Sequence, residues 1–293
     1  MGNPHFSVVI PTYKRPRQLN KCLRGIALID YPKDDFEVLV VDDGSEEPPV
    51  DLIEIYRSHF CVKLIRQAHA GPATARNTGA KEASGQYVVF TDDDCIPERQ
   101  WLAAFGRHFA AHPEYAVGGR TINALEENVC SSASQILIDY LYDYYNIRNS
   151  KAIFFASNNL AFPRKLFLEV GGFDSSFPAA AGEDRELCDR WLHRGYRMTF
   201  EPDAIVFHAH SLTFRKFVRQ HFNYGQGAYQ YHQLRASRKS EKVRLEPISF
   251  YSGMLIFPFK QRRRRPVSTA FLLTVSQAAN AAGFFSEKRK GKR

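Results

Sequence analysis

The stretch YVVFTDDDC, residues 87–95, is the most informative part of the chain, because a short apolar run leads into three consecutive carboxylates. Side chains alternate along a strand, which predicts that Asp92 and Asp94 leave one face and Asp93 the other. Carboxylates crowded at the end of a buried strand repel one another unless a cation lies between them, and hard divalent cations prefer oxygen ligands. A solvated turn or a helix N-terminus would also suit this sequence.

The segments before this stretch alternate between strand-like and helix-like patterns. Apolar runs at 6–11, 36–41 and 62–65 are separated by segments of helical spacing at 17–29 and 50–59. This alternation predicts an α/β fold, in which a doubly wound sheet is flanked by helices. Ligands of such sheets bind beyond the carboxyl ends of the strands. Thr12, Asp43 and the acidic triplet all fall at such ends, which favours one shared site.

Three later features add chemistry to this site. Arg76 lies one turn into a helix that begins at Pro72, where it could meet a phosphate or the acidic triplet, or remain an exposed helix charge. Glu183 and Asp184 open another helix, where carboxylates complement the helix dipole. An extended segment then ends at His208-Ala209-His210.

The charge of the chain is uneven. Its formal net charge is +9, yet residues 235–293 hold 15 Lys and Arg against 3 acidic residues, so the remaining body is slightly acidic. We therefore expect no nucleic acid partner for the body of the protein. Five cysteines without a Cys-x-x-Cys pair predict reduced thiols in a cytoplasmic protein without a zinc site, and residues 1–5 show no signal-peptide pattern.

The C-terminal region, residues 211–293, is predicted to be helical and basic. An amphipathic segment at 211–236 precedes apolar segments at 248–259 and 267–285, which are flanked by clusters such as Arg262–Arg265. The first apolar segment is short and the second is diluted by polar residues, whereas a membrane span needs about 20 apolar residues. The pattern favours attachment to an anionic membrane surface. A helical hairpin packed on the body, or a solvated or nucleic-acid-binding basic tail, are the alternatives.

The order of motifs along the chain resembles the family 2 glycosyltransferases of the GT-A fold, from Phe6 to about His210. The motifs that carry the resemblance are Val-Val-Ile-Pro-Thr-Tyr, Val-Asp-Asp-Gly-Ser, Ala-Arg-Asn-x-Gly, Thr-Asp-Asp-Asp, Gly-Gly-Phe-Asp, Gly-Glu-Asp and His-x-His. The resemblance implies a mixed, mainly parallel sheet in a catalytic domain at 1–210. It also implies a nucleotide-binding half at about 1–115 and an acceptor half at 116–210, followed by the C-terminal extension.

The resemblance also implies roles for the donor-binding residues. Thr12 and Asp43 would bind the nucleotide, and Arg76 would lie near the nucleotide and its diphosphate. Asp92 and Asp94 match the Asp-x-Asp motif of the family, with Asp92 near the ribose or a water on the metal. Asp93, between them, is counted with the donor-binding set and could equally pack or cap the turn.

The metal and the base follow from the same resemblance. Asp94 would be the direct ligand of Mn²⁺ or Mg²⁺, and His208 would be a further ligand, although His210 fits the sequence as well. Asp184 matches the general base, which would take the proton of the acceptor hydroxyl during inverting transfer. The Gln-x-x-Arg-Trp signature of processive synthases is absent, because Leu187 stands where the Gln should be.

The implied function is non-processive transfer of a sugar from a nucleotide-sugar donor, with UDP favoured, to a hydroxyl of a lipid-linked or polysaccharide acceptor. The enzyme would act as a peripheral or monotopic protein on the cytoplasmic face of the cell membrane. A sugar-1-phosphate nucleotidyltransferase is one alternative, but residues 11–16 lack the glycine-rich phosphate loop of that class. The other alternative is a non-catalytic nucleotide- or membrane-binding relative.

Overall fold

The computed structural model describes residues 5–147, 152–177, 181–239, 246–261 and 264–290. Within these residues the strands form one mixed sheet, mostly parallel and flanked by helices. The strands are β1 (Phe6–Thr12), β2 (Phe36–Asp42), β3 (Cys61–Arg66), β4 (Tyr87–Thr91), β5 (Cys95–Pro97), β6 (Ala116–Asn123), β7 (Asn159–Pro163) and β8 (Met198–His208).

The helices alternate with the strands in the first part of the chain and follow one another in the last part. They are α1 (Pro16–Ala27), α2 (Val50–Tyr56), α3 (Pro72–Glu82), α4 (Trp101–Ala111), α5 (Val129–Tyr142), α6 (Arg164–Val170), α7 (Glu183–His193), α8 (Phe214–Lys239), α9 (Ile248–Lys260) and α10 (Pro266–Lys290). A π-helical turn, Asp143–Ile147, continues α5.

The central strands β1, β2 and β4 are buried at every position, and mostly apolar, because both faces of the sheet are covered. The strand order is β3-β2-β1-β4-β7-β6-β8-β5, and β1 pairs in parallel with both β2 and β4. Val8 and Ile10 of β1 pack into the core on one face, whereas Val9 packs into the core on the other. Continuous apolar runs are typical of parallel strands buried on both sides, so the predicted α/β fold is confirmed.

The second half of the sheet departs from simple alternation. β7 pairs antiparallel with β4, and the extended segment that ends at His208 is one long strand, β8. Helix α4 does not begin until Trp101, because Cys95–Pro97 pairs antiparallel with the end of β8. This pairing brings the acidic triplet, just before β5, next to His208.

The C-terminal helices pack on the rest of the molecule. Phe250 and Met254 of α9 are buried with Tyr140 of α5. Helix α10 crosses α8 so closely that a Cβ at Gly283 would lie 1.9 Å from the carbonyl oxygen of Phe222. The predicted helical extension is confirmed, in the packed arrangement that the sequence had offered as an alternative. Among the described helices, none combines the length and the apolar character that crossing a bilayer would require.

Candidate active site

The acidic triplet lies in a turn. Strand β4 ends at Thr91, and the amide of Cys95 donates a hydrogen bond to the carbonyl of Asp92, 3.0 Å away, before β5 begins. Strand alternation therefore does not govern these side chains, and the prediction that Asp92 and Asp94 share one face was wrong. The turn instead sends each carboxylate to a different set of partners.

Asp93 binds groups at the end of β1. Its carboxylate accepts a hydrogen bond from the Thr12 hydroxyl at 2.8 Å and another from the Arg15 guanidinium at 3.2 Å. Burial raises the pKa of Asp93 to about 6, although Arg15 opposes this shift. Asp93 thus ties the triplet to β1 in the way that the packing alternative predicted.

Asp94 faces the two histidines. One of its oxygens lies 3.2 Å from Nε2 of His208, and the other lies 3.8 Å from Nδ1 of His210 and 3.4 Å from Arg15. Burial alone would raise the pKa of Asp94. The hydrogen bond from His208 and the positive charges of the histidines and Arg15 outweigh burial and bring this pKa to about 2. The carboxylate is therefore ionised at neutral pH.

Asp94 and His208 lie where they could supply two ligands to a divalent cation. Their ligand atoms and Sγ of Cys95 all lie within 4.8 Å of one another. A carboxylate oxygen and an imidazole nitrogen are ligands that Mn²⁺ accepts. The Cys95 thiol is fully buried and its pKa is raised well above the usual value, so it does not supply a thiolate. By distance to Asp94, His208 is better placed than His210.

Arg76 is buried, so the alternative of an exposed helix charge was wrong. Only 3% of the residue is accessible. Its guanidinium donates to Asp92 at 2.7 Å and to Glu183 at 3.4 Å, and it lies over the ring of Phe173 at 5.5 Å. Arg76 therefore joins the acidic turn after β4 to the first turn of α7.

Asp184 lies in that first turn. Gly182, at φ +96, turns the chain into α7, and Asp184 accepts a hydrogen bond from the amide of Arg185 at 2.7 Å. Burial raises the pKa of Asp184. Burial, followed by the neighbouring Asp184 charge, raises the pKa of Glu183 to about 7. The pair holds its protons more tightly than ordinary carboxyl groups, which suits groups that exchange protons near neutral pH.

Asp43 organises a loop. Its carboxylate accepts hydrogen bonds from the amides of Ala70 and Gly71, both at 2.9 Å, and from the Gln67 side chain at 2.7 Å. The loop carries His69, whose ring stacks on Tyr13 with the centroids 4.3 Å apart. Asp43 thus fixes an aromatic pair beside the carboxyl end of β1. No motif in the sequence predicts the stacking of His69 on Tyr13.

The predicted site residues line one cavity of about 1320 Å³. All eight line it: Thr12, Asp43, Arg76, Asp92, Asp93, Asp94, Asp184 and His208. His210 lines it as well, as do residues that the sequence analysis did not single out for the site: Tyr13, Arg15, His69, Asn158, Lys216 and Arg219. Arg15 follows the Pro-Thr motif by three residues, and this short spacing could have indicated it.

Comparison with known proteins agrees with this geometry. The model of glycosyl transferase family 2 matches residues 7–171. Glycosyltransferase AglE of Haloferax volcanii is 29% identical over 236 residues, which cover 78% of this chain and 74% of AglE. The pre-mycofactocin glycosyltransferase of Mycobacterium tuberculosis is 30% identical over 76% of this chain, which spans only 46% of that protein.

Solved structures show the same fold. A mannosyltransferase of Pyrobaculum calidifontis, in complex with GDP-Man and Mn²⁺, superimposes with a TM-score of 0.62 at 21% identity over 95% of this chain and 74% of its own. Residues 1–349 of TarS from S. aureus, in complex with UDP-GlcNAc, give 0.57 at 19% identity over 98% and 92%. These neighbours have the GT-A fold. With a family model that covers more than half of its residues, the chain belongs to glycosyl transferase family 2.

Proposed function

We propose that the protein transfers one sugar from a nucleoside diphosphate donor to a hydroxyl of its acceptor, with inversion at the anomeric carbon. The observation that carries this proposal is that Asp94 with His208 and the carboxylate of Asp184 line one cavity, linked through Asp92, Arg76 and Glu183. Asp94 and His208 suit the binding of a cation beside the diphosphate. Asp184 suits the role of a base beside the acceptor hydroxyl.

Asp184 acts as the base. As the acceptor oxygen bonds to the anomeric carbon, its proton passes to the Asp184 carboxylate, and the bond from that carbon to the diphosphate oxygen breaks. The helix start and the Arg185 amide hold the carboxylate in place before the substrate arrives. Its raised pKa makes it a better proton acceptor than a free aspartate.

The leaving diphosphate carries negative charge away from the sugar. Arg15, Lys216 and Arg219 line the same cavity as the acidic turn and supply positive charge there. When bound at Asp94 and His208, Mn²⁺ or Mg²⁺ would add Lewis-acid stabilisation of that charge. Metal use is supported by the Mn²⁺ complex of the mannosyltransferase neighbour.

The nucleotide is proposed to lie against Tyr13, His69 and Asp43, because a stacked aromatic pair beside a loop of fixed amides suits a flat base. UDP is favoured by the family resemblance and by the UDP-GlcNAc complex of TarS, whereas the mannosyltransferase neighbour holds GDP-Man. The test is therefore a panel of both nucleotide classes.

Transfer of a single sugar is supported by the surroundings of Arg190 and Trp191. Arg190 donates to the carbonyl oxygens of Val170 and Gly172, and the buried Trp191 donates to the carbonyl of Arg197. Both side chains hold the fold together and lie outside the residues that line the cavity. With Leu187 in place of the Gln, they do not form the Gln-x-x-Arg-Trp signature of processive synthases.

Attachment to an anionic membrane on the cytoplasmic side is part of the proposal. The corner between α9 and α10 exposes Ile256, Phe259, Val267 and Phe271. Exposed Arg264 and Arg265 lie in the connection between these helices, whereas Arg262 and Arg263 of the same cluster fall outside the described residues. Apolar side chains flanked by arginines suit the boundary between headgroups and acyl chains.

The decisive experiment is a thermal-shift panel of UDP- and GDP-sugars with and without Mn²⁺. A nucleotide sugar that raises the melting temperature only with the metal would support the proposal and identify the donor. Stabilisation by a donor without transfer to any of a set of glycan and lipid-linked acceptors would favour a binding protein. A panel without any shift would overturn the proposal.

A further inference from the structure

The two ends of the cavity are lined by different kinds of residues. The end at the strand termini carries the charged groups described above. The other end is formed by α5, α9 and α10. These helices contribute the apolar and aromatic residues Leu137, Ile138, Leu141, Phe250, Tyr251, Ala278, Ala281, Phe284 and Phe285, together with the polar residues Ser131, Ser134, Gln135, Thr274, Gln277 and Asn280. Asp184 lines the same cavity, so the apolar surface is continuous with the proposed site of transfer.

The cavity is also larger than a nucleotide sugar requires. Pockets for drug-sized ligands measure about 300–1,000 Å³, and this cavity measures about 1320 Å³. The additional space can therefore hold a substantial part of the acceptor.

Helix α10 presents an apolar face to this space. Thr274, Ala278, Ala281 and Phe285 recur at helical spacing, line the cavity and are exposed. The opposite side of α10 packs through buried residues such as Gly283. Ala278, Ala281 and Phe285 form a surface without hydrogen-bonding groups, which suits a hydrocarbon chain, whereas the polar Gln277 and Asn280 of the same helix also line the cavity.

We propose that the acceptor is an amphiphile, whose hydroxyl lies at Asp184 while its hydrocarbon chain lies between α5, α9 and α10. This inference rests on the proposed function and narrows its acceptor to the lipid-linked class. The apolar end of the cavity borders the helices that form the exposed apolar corner of α9 and α10. A chain held in the cavity could therefore remain partly in a bilayer bound at that corner.

The test uses alkyl β-D-glucosides as probes, with methyl, hexyl, octyl and decyl chains, each below its micelle concentration. Calorimetric titration of the full chain without donor measures binding directly. Because each buried methylene adds about 0.8 kcal/mol, affinity should increase roughly fourfold for each added methylene. Ala281→Trp places a large side chain in the apolar end and should weaken octyl glucoside binding at least tenfold.

Ala282→Trp is the matched control, since Ala282 is also exposed on the same helix but lies outside the lining of this cavity. It should bind the glucosides like the unmodified protein. Nucleotide binding with Mn²⁺, measured in parallel, should be equal in both variants. Failure of nucleotide binding in every form would count against the proposed function and leave the chain-length result intact.

Two results would overturn the inference. One is equal affinity for methyl and octyl glucosides, which would exclude an apolar subsite. The other is the same chain-length dependence in Ala281→Trp and Ala282→Trp, which would locate the probe elsewhere, such as the exposed corner of α9 and α10.

Discussion

The two ends of the cavity are built in opposite ways. At the strand end, short polar segments follow buried strands, and hydrogen bonds as short as 2.7 Å fix their carboxylates. At the helical end, side chains from α5, α9 and α10 meet across long sequence separations, and apolar residues outnumber polar ones in the lining. The family match covers residues 7–171 and thus most of the strand end, whereas α8, α9 and α10 lie beyond it.

This contrast indicates a division of roles between the two ends, with donor binding at the strand end and acceptor binding at the helical end. The diphosphate of a nucleoside diphosphate sugar carries the same charges whichever sugar is attached, so one arrangement of carboxylates and arginines at strand ends can serve enzymes with different acceptors. Acceptors differ, and the helical end is where this chain would differ from its relatives. Substitutions that affect one end and spare the other test that division.

The largest effect is expected for Asp184→Asn. The amide keeps the shape of the side chain but cannot take the acceptor proton, so kcat should decrease by roughly a thousandfold. Donor-induced thermal stabilisation should be unchanged, because the strand end is intact. Asp203→Asn, at an exposed position outside the cavity lining, is the control. Retention of full activity in Asp184→Asn would refute the role of Asp184 as base.

The second prediction separates the two histidines. His208 lies 3.2 Å from Asp94 and His210 lies 3.8 Å from it, so His208→Ala should weaken Mn²⁺ binding roughly 10- to 100-fold. His210→Ala should change it less than threefold on the same scale. Calorimetric titration of Mn²⁺ in the presence of UDP measures both. A larger loss in His210→Ala would transfer the ligand role to that residue.

The third prediction concerns the packing of the extension. A methyl at Gly283 would lie 1.9 Å from the Phe222 carbonyl oxygen, so Gly283→Ala must separate α10 from α8. We expect a loss of about 1–3 kcal/mol in the free energy of unfolding, measured by urea titration. Gly106→Ala is the control, because its nearest neighbour would lie at 3.7 Å. That change should be neutral or stabilising by up to about 1 kcal/mol.

Gly225 and Gly283 also show which features of the structure could be predicted from the sequence and which could not. The α/β alternation could be predicted because apolar strands and the polar residues that follow them are adjacent in the chain. The eight candidate site residues, which line one cavity, were chosen from such strand ends, from helix starts and from the family resemblance. The crossing of α8 and α10 at Gly225 and Gly283 depends on two surfaces about 60 residues apart, and no local pattern encodes it. Membrane attachment was favoured from composition alone, while the structure shows much of the same apolar surface packed on α5.

The turn after β4 gave a different kind of error. Strand alternation was extended to Asp92–Asp94, although the strand ends at Thr91. The partners of these carboxylates, Arg15, Arg76 and His208, come from three distant segments. The candidate site residues could be predicted from their types, but the contacts between them could not.

The fourth prediction is a pH dependence. A base must be deprotonated, so kcat/KM should increase with pH through the pKa values of the Glu183–Asp184 pair and level off above them. Burial raises the pKa values of both carboxyl groups, that of Glu183 to about 7. Glu183→Gln removes a negative charge next to Asp184, which lowers the Asp184 pKa and moves the acidic limb down by on the order of one pH unit. An unmoved limb would show that the pair does not control the rate.

The smallest effect is expected at the membrane corner. Arg265 is half exposed, and its acidic neighbour among the described residues, Glu127, lies 3.9 Å away, so most of its charge is available to anionic lipid. Arg265→Gln should weaken binding to phosphatidylglycerol vesicles roughly fivefold, since one basic residue near such a surface contributes about 1 kcal/mol. Arg57→Gln is matched in exposure and in having one acidic neighbour, Glu54, and should bind like the unmodified protein.

Cosedimentation at two salt concentrations completes this test. Raising the salt should reduce the difference between Arg265→Gln and the unmodified protein, because ions screen the attraction between the Arg265 guanidinium and the anionic lipid. Neutral phosphatidylcholine vesicles should bind both proteins equally through the exposed apolar side chains of α9 and α10. Equal binding of Arg265→Gln and Arg57→Gln to anionic vesicles would contradict docking at this corner, and the helical end of the cavity would then need another route to its acceptor.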